Sequence, residues 1–280
     1  MDLLSDVLST LRLQGRLYFG DTLSPPWKLD LPANDNMLKL HFVASGECRI
    51  DTGEGFREFP SGGLAILPSH ISHSMKSADS ETPTRLVCGE FSFDGRLRHP
   101  LVEQLPAIVL EGCGDCSESI WLQQAMNLLR EETARLEPGH DALVQRLLEI
   151  VLIQALRHFV DQGGHGSKFL QGMNDPAISR SLAAVHANPS SNWRVDTLAD
   201  VAALSRTAFA TRFQRVMGES PMQYLTQWRM LLASQLLRQP KSSITQVAHA
   251  VGYESEASFS KVFKKTVGET PGRFRKTAVE

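Results

Sequence analysis

The sequence has little cysteine: four residues in 280, at Cys48, Cys88, Cys113 and Cys116. That is too few to staple a chain of this size, which excludes a disulfide-built scaffold and makes reduced thiols the expectation. Also missing is any apolar run near the roughly 20 residues of a membrane span. The start, Met1-Asp-Leu-Leu-Ser-Asp6, has no cationic segment before its apolar residues. A cytoplasmic location with no membrane partner is expected. Compositional bias is absent too, since 42% hydrophobic and 21% charged residues indicate neither a disordered nor a fibrous class. Net charge is close to absent at −2, but that figure conceals a segregation. From Arg180 onward fourteen Lys and Arg face seven Asp and Glu, giving +7, while residues 1–179 carry −9. A basic carboxy-terminal module behind an acidic one points to a polyanion as its partner.

The length suits two domains, each with its own core. From about Lys39 to Phe93 short apolar stretches are separated by Gly, Pro, Ser and Asn: Leu38–Val43, Cys48–Asp51, Leu64–Leu67, Leu86–Cys88 and Glu90–Phe93. That rhythm predicts a small antiparallel barrel or sandwich. Two amphipathic helices should follow. One, over Ser117–Leu136, turns Trp121, Ala125, Leu128 and Leu129 to one face; the next turns Leu143, Leu147, Val151 and Ala155. Gly163–Ser167 through Asn174-Asp-Pro176 concentrates glycine and reads as a linker. The expected organisation is a β-rich domain at 1–115, a helical segment at 116–162, a linker at 163–176 and a carboxy-terminal domain at 177–280.

The carboxy-terminal domain carries one pattern twice. Leu198-Ala-Asp-Val-Ala202 leads to Phe213 and Gly218-Glu-Ser-Pro221; Ile244-Thr-Gln-Val-Ala248 leads to Phe263 and Gly268-Glu-Thr-Pro271. The ends are fifty positions apart and the starts forty-six, so four extra residues are expected in the second turn, around Gly252-Tyr253. Each copy reads as a short apolar helix, a turn, and a second helix with a basic outer face. In the first, Ser205 caps a helix with Phe209, Phe213 and Val216 inside and Arg206, Thr207, Ala210, Thr211 and Arg215 outside. In the second, Phe259, Val262 and Phe263 are inside and Ser255, Ala257, Ser258, Lys261, Lys264 and Lys265 outside. The major groove admits one helix, where small polar groups and methyls meet base edges while flanking Arg and Lys bind phosphates. A single basic face would read as a solvated surface; two matched copies in an otherwise acidic chain read as a binder of double-stranded DNA. Met222–Arg238, between the copies, predicts a connecting helix stopped by Pro240.

At these residues, over about 177–276, the chain resembles the AraC/XylS family of transcriptional regulators. The resemblance implies an all-α tandem helix-turn-helix domain whose two recognition helices enter successive major-groove segments, about 34 Å apart. By position it implies base-facing roles for Thr207, Ala210 and Thr211, and for Ala257, Ser258 and Lys261. The first set is small and lacks bidentate reach, so groove shape and methyl contact should dominate there. With the second copy richer in lysine, a directional, non-palindromic site is expected.

Upstream, Gly62 to His73 places Pro68, His70 and His73 in a spacing similar to the second cupin motif, and His41 with Gly46 is similar to part of the first. The usual second histidine of that motif is replaced by Val43. Regulatory domains of AraC-like proteins with a cupin-like β-barrel fit residues 1–115, making the whole chain α+β. His41, His70, His73 and Cys88 are candidate effector-binding residues or ligands for a divalent metal such as zinc; the plain alternative is that His41 and His73 fill the barrel while His70 faces solvent. Cys113-Gly-Asp-Cys116 has redox-motif spacing, against the plainer reading of incidental loop thiols. The function expected is a ligand-responsive, homodimeric transcription regulator that is not an enzyme, takes a small-molecule effector, and meets RNA polymerase if it activates. The alternatives are a cupin metalloenzyme with a DNA-binding appendage and a constitutive architectural DNA binder.

Overall fold

A computed structural model of the chain describes residues 2–33, 37–53, 55–68, 70–92, 99–110, 120–135, 137–239 and 242–279. In chain order the first elements are α1 (Leu3–Leu11), β1 (Gln14–Leu23), β2 (Lys28–Leu31), β3 (Met37–Ser45), β4 (Glu47–Asp51), β5 (Arg57–Pro60), β6 (Leu64–Leu67), β7 (His73–Ser77), β8 (Thr84–Ser92), α2 (Pro100–Glu103) and β9 (Ile108–Leu110). Helices follow: α3 (Ile120–Glu132), α4 (His140–Asp161), α5 (Lys168–Asn174), α6 (Pro176–Ala187), α7 (Val195–Ala202), α8 (Arg206–Met217), α9 (Pro221–Leu237), α10 (Ile244–Ala250), α11 (Glu256–Val267) and α12 (Pro271–Val279). The β-rich part followed by an all-α part is the α+β architecture expected.

One compact unit comprises Leu13–Phe93 and Leu105–Gln162. Its strands form two antiparallel sheets, in the orders β1-β8-β3-β6-β9 and β2-β7-β4-β5. Inward side chains of both sheets, including Val43, Ile50, Phe59, Leu67, Met75 and Leu86, make one core. β3 lies between β8 and β6, with His41 opposite Cys88 on one side and Ala65 on the other. The sequence reading began the barrel at Lys39 and missed β1 and β2. Strand β1 escapes because only Gly15 in it is fully buried, which leaves no clear alternation of apolar residues.

Helix α4 lies on β1, and its buried Leu148 fills the space left by two glycines. A Cβ on Gly89 would come within 2.8 Å of a Leu148 methyl, and one on Gly15 within 3.3 Å of the Leu148 Cβ. The helix faces differ from expectation. Helix α3 buries Leu122, Ala125, Met126 and Leu129, while Trp121 and Leu128 remain 71% and 55% exposed. Helix α4 buries Val144, Leu147, Leu148, Val151, Leu152, Ala155 and Leu156 but leaves Leu143 and Ile150 outside. Both helices carry more apolar residues than one face holds, so sequence alone does not say which stripe meets the sheet.

The other unit comprises Met1–Arg12, Asp94–Gln104 and Gly163–Glu280. Helix α1 packs on α6 and α9, and α2 packs on α5. The stretch 163–176, expected as a linker, contains α5 with Phe169 and Leu170 fully buried. Its glycines turn the chain, but two large apolar side chains among them anchor it.

Candidate nucleic-acid interface

The two helix-turn-helix copies are built from equivalent local devices. Before α7 the Arg194 N–H donates to Thr197 Oγ1 at 3.0 Å; before α10 the Ser243 N–H donates to Gln246 Oε1 at 2.9 Å. Helix α7 buries Leu198, Ala199 and Ala202, and the second copy buries Val247, Ala248 and Val251. The chain then reverses through left-handed residues, Ala203 at φ 56° and Gly252 at φ 84°. The next amides close both turns alike, Leu204 N–H to the Ala199 carbonyl at 3.0 Å and Tyr253 N–H to the Ala248 carbonyl at 2.9 Å.

Every one of these pairs is separated by 49 positions, whereas the caps of the second helices, Ser205 and Ser255, are separated by 50. One residue, Glu254, therefore enters the second turn, not four. Matching Leu198–Ala202 to Ile244–Ala248 displaced the first helices by three residues. An amphipathic helix slid by three keeps its apolar stripe, which is why the two registers look alike in sequence.

The second helices present the anticipated outer faces, while inside Val216 and Val262 are only half-buried and Met217 is buried in addition. Helix α8 buries Phe209, Phe213 and Met217, and α11 buries Phe259 and Phe263. Outside, Ser205, Arg206, Thr207, Thr211 and Arg215 are exposed and Ala210 is half-buried; Ser255, Ala257, Ser258, Lys261, Lys264 and Lys265 are exposed. The two serines also shape the helix starts. Ser205 Oγ accepts from the Ala208 amide at 3.3 Å, and Ser255 Oγ accepts from the Ser258 amide at 3.2 Å. Arg206 Nε lies 3.4 Å from Asp196 Oδ1 on the open surface, a pairing weak enough for another anion to replace.

In the barrel the structure brings together His41, His73 and Cys88, and adds Tyr18, which sequence reading missed along with β1. His41 Nδ1 is 3.1 Å from Cys88 Sγ, and His41 Nε2 is 2.8 Å from His73 Nε2. His73 Nδ1 is 3.3 Å from the Ile71 carbonyl oxygen, which can only accept. That fixes the protons when both rings are neutral. His73 Nδ1–H donates to Ile71, His41 Nε2–H donates to His73, and Cys88 S–H donates to His41 Nδ1. The Tyr18 phenol stands at the outer end beside Cys88, its ring edge-on to His41 at 6.4 Å.

Burial holds this chain neutral. It pushes His41 well below the usual imidazole range, His73 down to about 4 and the Cys88 thiol up to about 12, and it raises the Tyr18 phenol. His70 stands apart, exposed in a turn. A metal needs donors converging on one point, but here the His41 ring lies between its partners with both nitrogens engaged. Among the described residues no three His, Cys, Asp or Glu side chains are placed to share an ion. The donor set does not fit a metal. Cys113 and Cys116 lie outside the described residues.

Two family models match the chain: residues 2–161 match one described as Cupin, and residues 198–277 one described as Helix-turn-helix domain. The HTH-type transcriptional regulator AlkR of Acinetobacter baylyi is 28% identical over 98% of this chain and 99% of its own length. The RCS-specific HTH-type transcriptional activator RclR of Escherichia coli is 29% identical over 98% and 97%. The crystal structure of ToxT from Vibrio cholerae aligns with a TM-score of 0.41 at 15% identity, covering 95% of this chain and 98% of that one.

Proposed function

Because the chain belongs to the AraC-type transcriptional regulators, with a cupin domain ahead of its helix-turn-helix domain, we propose that α8 and α11 are its two recognition helices and enter successive major-groove segments of one DNA site. The observation that carries this reading is the duplicated turn. Two copies of one hydrogen-bonded corner each launch a helix whose outer face is small and cationic. Thr207, Ala210, Thr211, Ala257, Ser258 and Lys261 are the base-facing set; Arg206, Arg215, Lys264 and Lys265 meet phosphates, and Ser205 and Ser255 bring helix amides to the backbone. The relatives are regulators, and this chain is a DNA-binding regulator rather than an enzyme.

In this reading the barrel takes a small-molecule effector. The Cys88–His41–His73 chain runs through its interior from the exposed Tyr18, and His73 also lines a cleft of about 300 Å³ together with Asp30, Asp51 and Ser74. A second copy covers the exposed apolar residues of α3 and α4, giving a homodimer, and RNA polymerase is a further partner if the regulator activates. The test uses duplexes selected from a random pool by the full-length protein. Lys261→Ala and Arg215→Ala should each weaken binding about tenfold and reduce the salt slope by about one, with Arg215→Ala leaving sequence preference intact. Unchanged affinity in both variants would remove α8 and α11 from the interface.

A further inference from the structure

The repeat extends one helix upstream of each motif, and there one residue type has two different uses. Arg180 on α6 and Arg229 on α9 are 49 positions apart, the spacing that relates the two turns. Arg180 serves its own copy: Nε and Nη2 donate to the carbonyls of Val201 and Ala202 at 3.3 and 2.7 Å, where α7 ends. A guanidinium suits that place, because the last carbonyls of a helix lack partners within it.

Arg229 reaches into the other copy instead. Its Nε donates to the Pro189 carbonyl and its Nη2 to the Ser191 carbonyl, both at 2.8 Å, in the segment that leads from α6 to α7. The same guanidinium lies 5.7 Å from the ring centroid of Tyr253, within reach of a cation–π attraction. Tyr253 in turn packs edge-on against Phe259, on the inner face of α11, at 5.7 Å. Gly252 leaves room for this bridge. A Cβ there would lie 2.7 Å from Arg229 Nη2 and 2.7 Å from the Ser190 carbonyl oxygen. The first copy makes its turn with Ala203 at φ 56°, whereas Gly252 stands at φ 84°, so a side chain there would be strained as well as crowded.

We propose that Arg229 is the positioning residue that locks the second reading helix to the first copy, so that α8 and α11 meet DNA at one fixed separation and rotational phase. The inference rests on the two-helix reading above. Helix α9 joins the copies covalently, but a single stalk lets the second motif rock about its end; a planar guanidinium held by two carbonyls and a tyrosine removes that freedom. DNA makes the constraint measurable, because one added base pair moves a half-site by about 3.4 Å and rotates it by about 35°.

The experiment uses full-length protein and duplexes selected from a random pool by the wild type, then the same duplexes with one base pair inserted between the two protected segments. The wild type should lose about tenfold in affinity on insertion, roughly one mismatched contact set. Arg229→Ala and Gly252→Ala, which remove or displace the bridge, should each lose less than about threefold, while Arg180→Ala should discriminate like the wild type. Each variant is compared with itself on two duplexes, so a partly unfolded preparation does not alter the ratio. Retention of the wild-type penalty in both Arg229→Ala and Gly252→Ala overturns the proposal. A wild type that selects no two-segment site, or that is indifferent to the insertion, overturns the underlying two-helix reading instead.

Discussion

At the scale of single residues, the buried imidazoles make the barrel sensitive to acid. His73 stays neutral in the folded chain down to about pH 4, whereas the unfolded chain binds a proton there below about 6.5. The unfolded state thus holds the extra proton between those values. The sign follows: the stabilisation is complete above about pH 6.5 and is lost as pH falls toward 4, by up to about 3 kcal/mol for this group. His41, lowered for the same reason, acts in the same direction. Hydrogen exchange of the β3 and β8 amides at pH 7 and pH 4.5 measures this. The wild type should lose most of its protection at the lower pH, and His73→Gln should lose distinctly less. An equal loss in both would assign the acid sensitivity to other groups. Only part of this cluster was legible in the sequence. The cupin-like spacing singled out His41, His70 and His73, but which of them face inward depends on strand register. Cys88 became the partner of His41 because the two are paired across β3 and β8.

At the scale of elements, sequence periodicity located the helices better than their faces. It placed the helix pair and the four helices of the duplicated motif within a few residues of α3, α4, α7, α8, α10 and α11. It misjudged the register of the repeat because sliding an amphipathic helix by three positions preserves its stripe, and only the paired turns at Ala203 and Gly252 break the tie. It grouped Trp121 and Leu128 with Ala125 and Leu129 as one face, where the structure buries the second pair and turns the first pair out. That reversal is informative: Trp121 and Leu128 are seven apart on α3, and Leu143 and Ile150 are seven apart on α4, so each exposed pair forms a stripe along its helix. Stripes of this size on a packed helical hairpin favour an interface between copies. In the homodimer proposed above, Trp121→Glu combined with Ile150→Glu should convert dimer to monomer in sedimentation equilibrium while leaving the unfolding midpoint of the monomer nearly unchanged. A dimer that persists would place the interface elsewhere.

At the scale of the whole molecule, the basic residues gather in the helix-turn-helix part of the sequence and the acidic ones ahead of it, but the compact units do not follow the chain in order. Residues 2–12, assigned by sequence to the domain that holds the barrel, pack as α1 with α6 and α9. Leu3, Leu4, Val7 and Leu11 are buried there, and Asp6 Oδ2 lies 4.0 Å from His186 Nδ1. His186 stacks on Trp228 at 3.8 Å and is 2.7 Å from the Tyr224 hydroxyl, so the first helix closes over an aromatic core shared by α6 and α9. Sequence reading could not anticipate this, since nine amphipathic residues at a chain start fit any apolar surface. The consequence is a stability link between the first turns of the chain and the stalk of the DNA-binding domain. Val7→Ala removes two methyl carbons from a site with no solvent exposure and should cost about 1–3 kcal/mol. Hydrogen exchange locates that loss: amides of α6 and α9 should lose protection, while those of β3 and β8 keep theirs. If instead the barrel amides weaken and the α9 amides do not, α1 belongs energetically to the barrel, and the division into units seen in the structure does not describe how the chain unfolds.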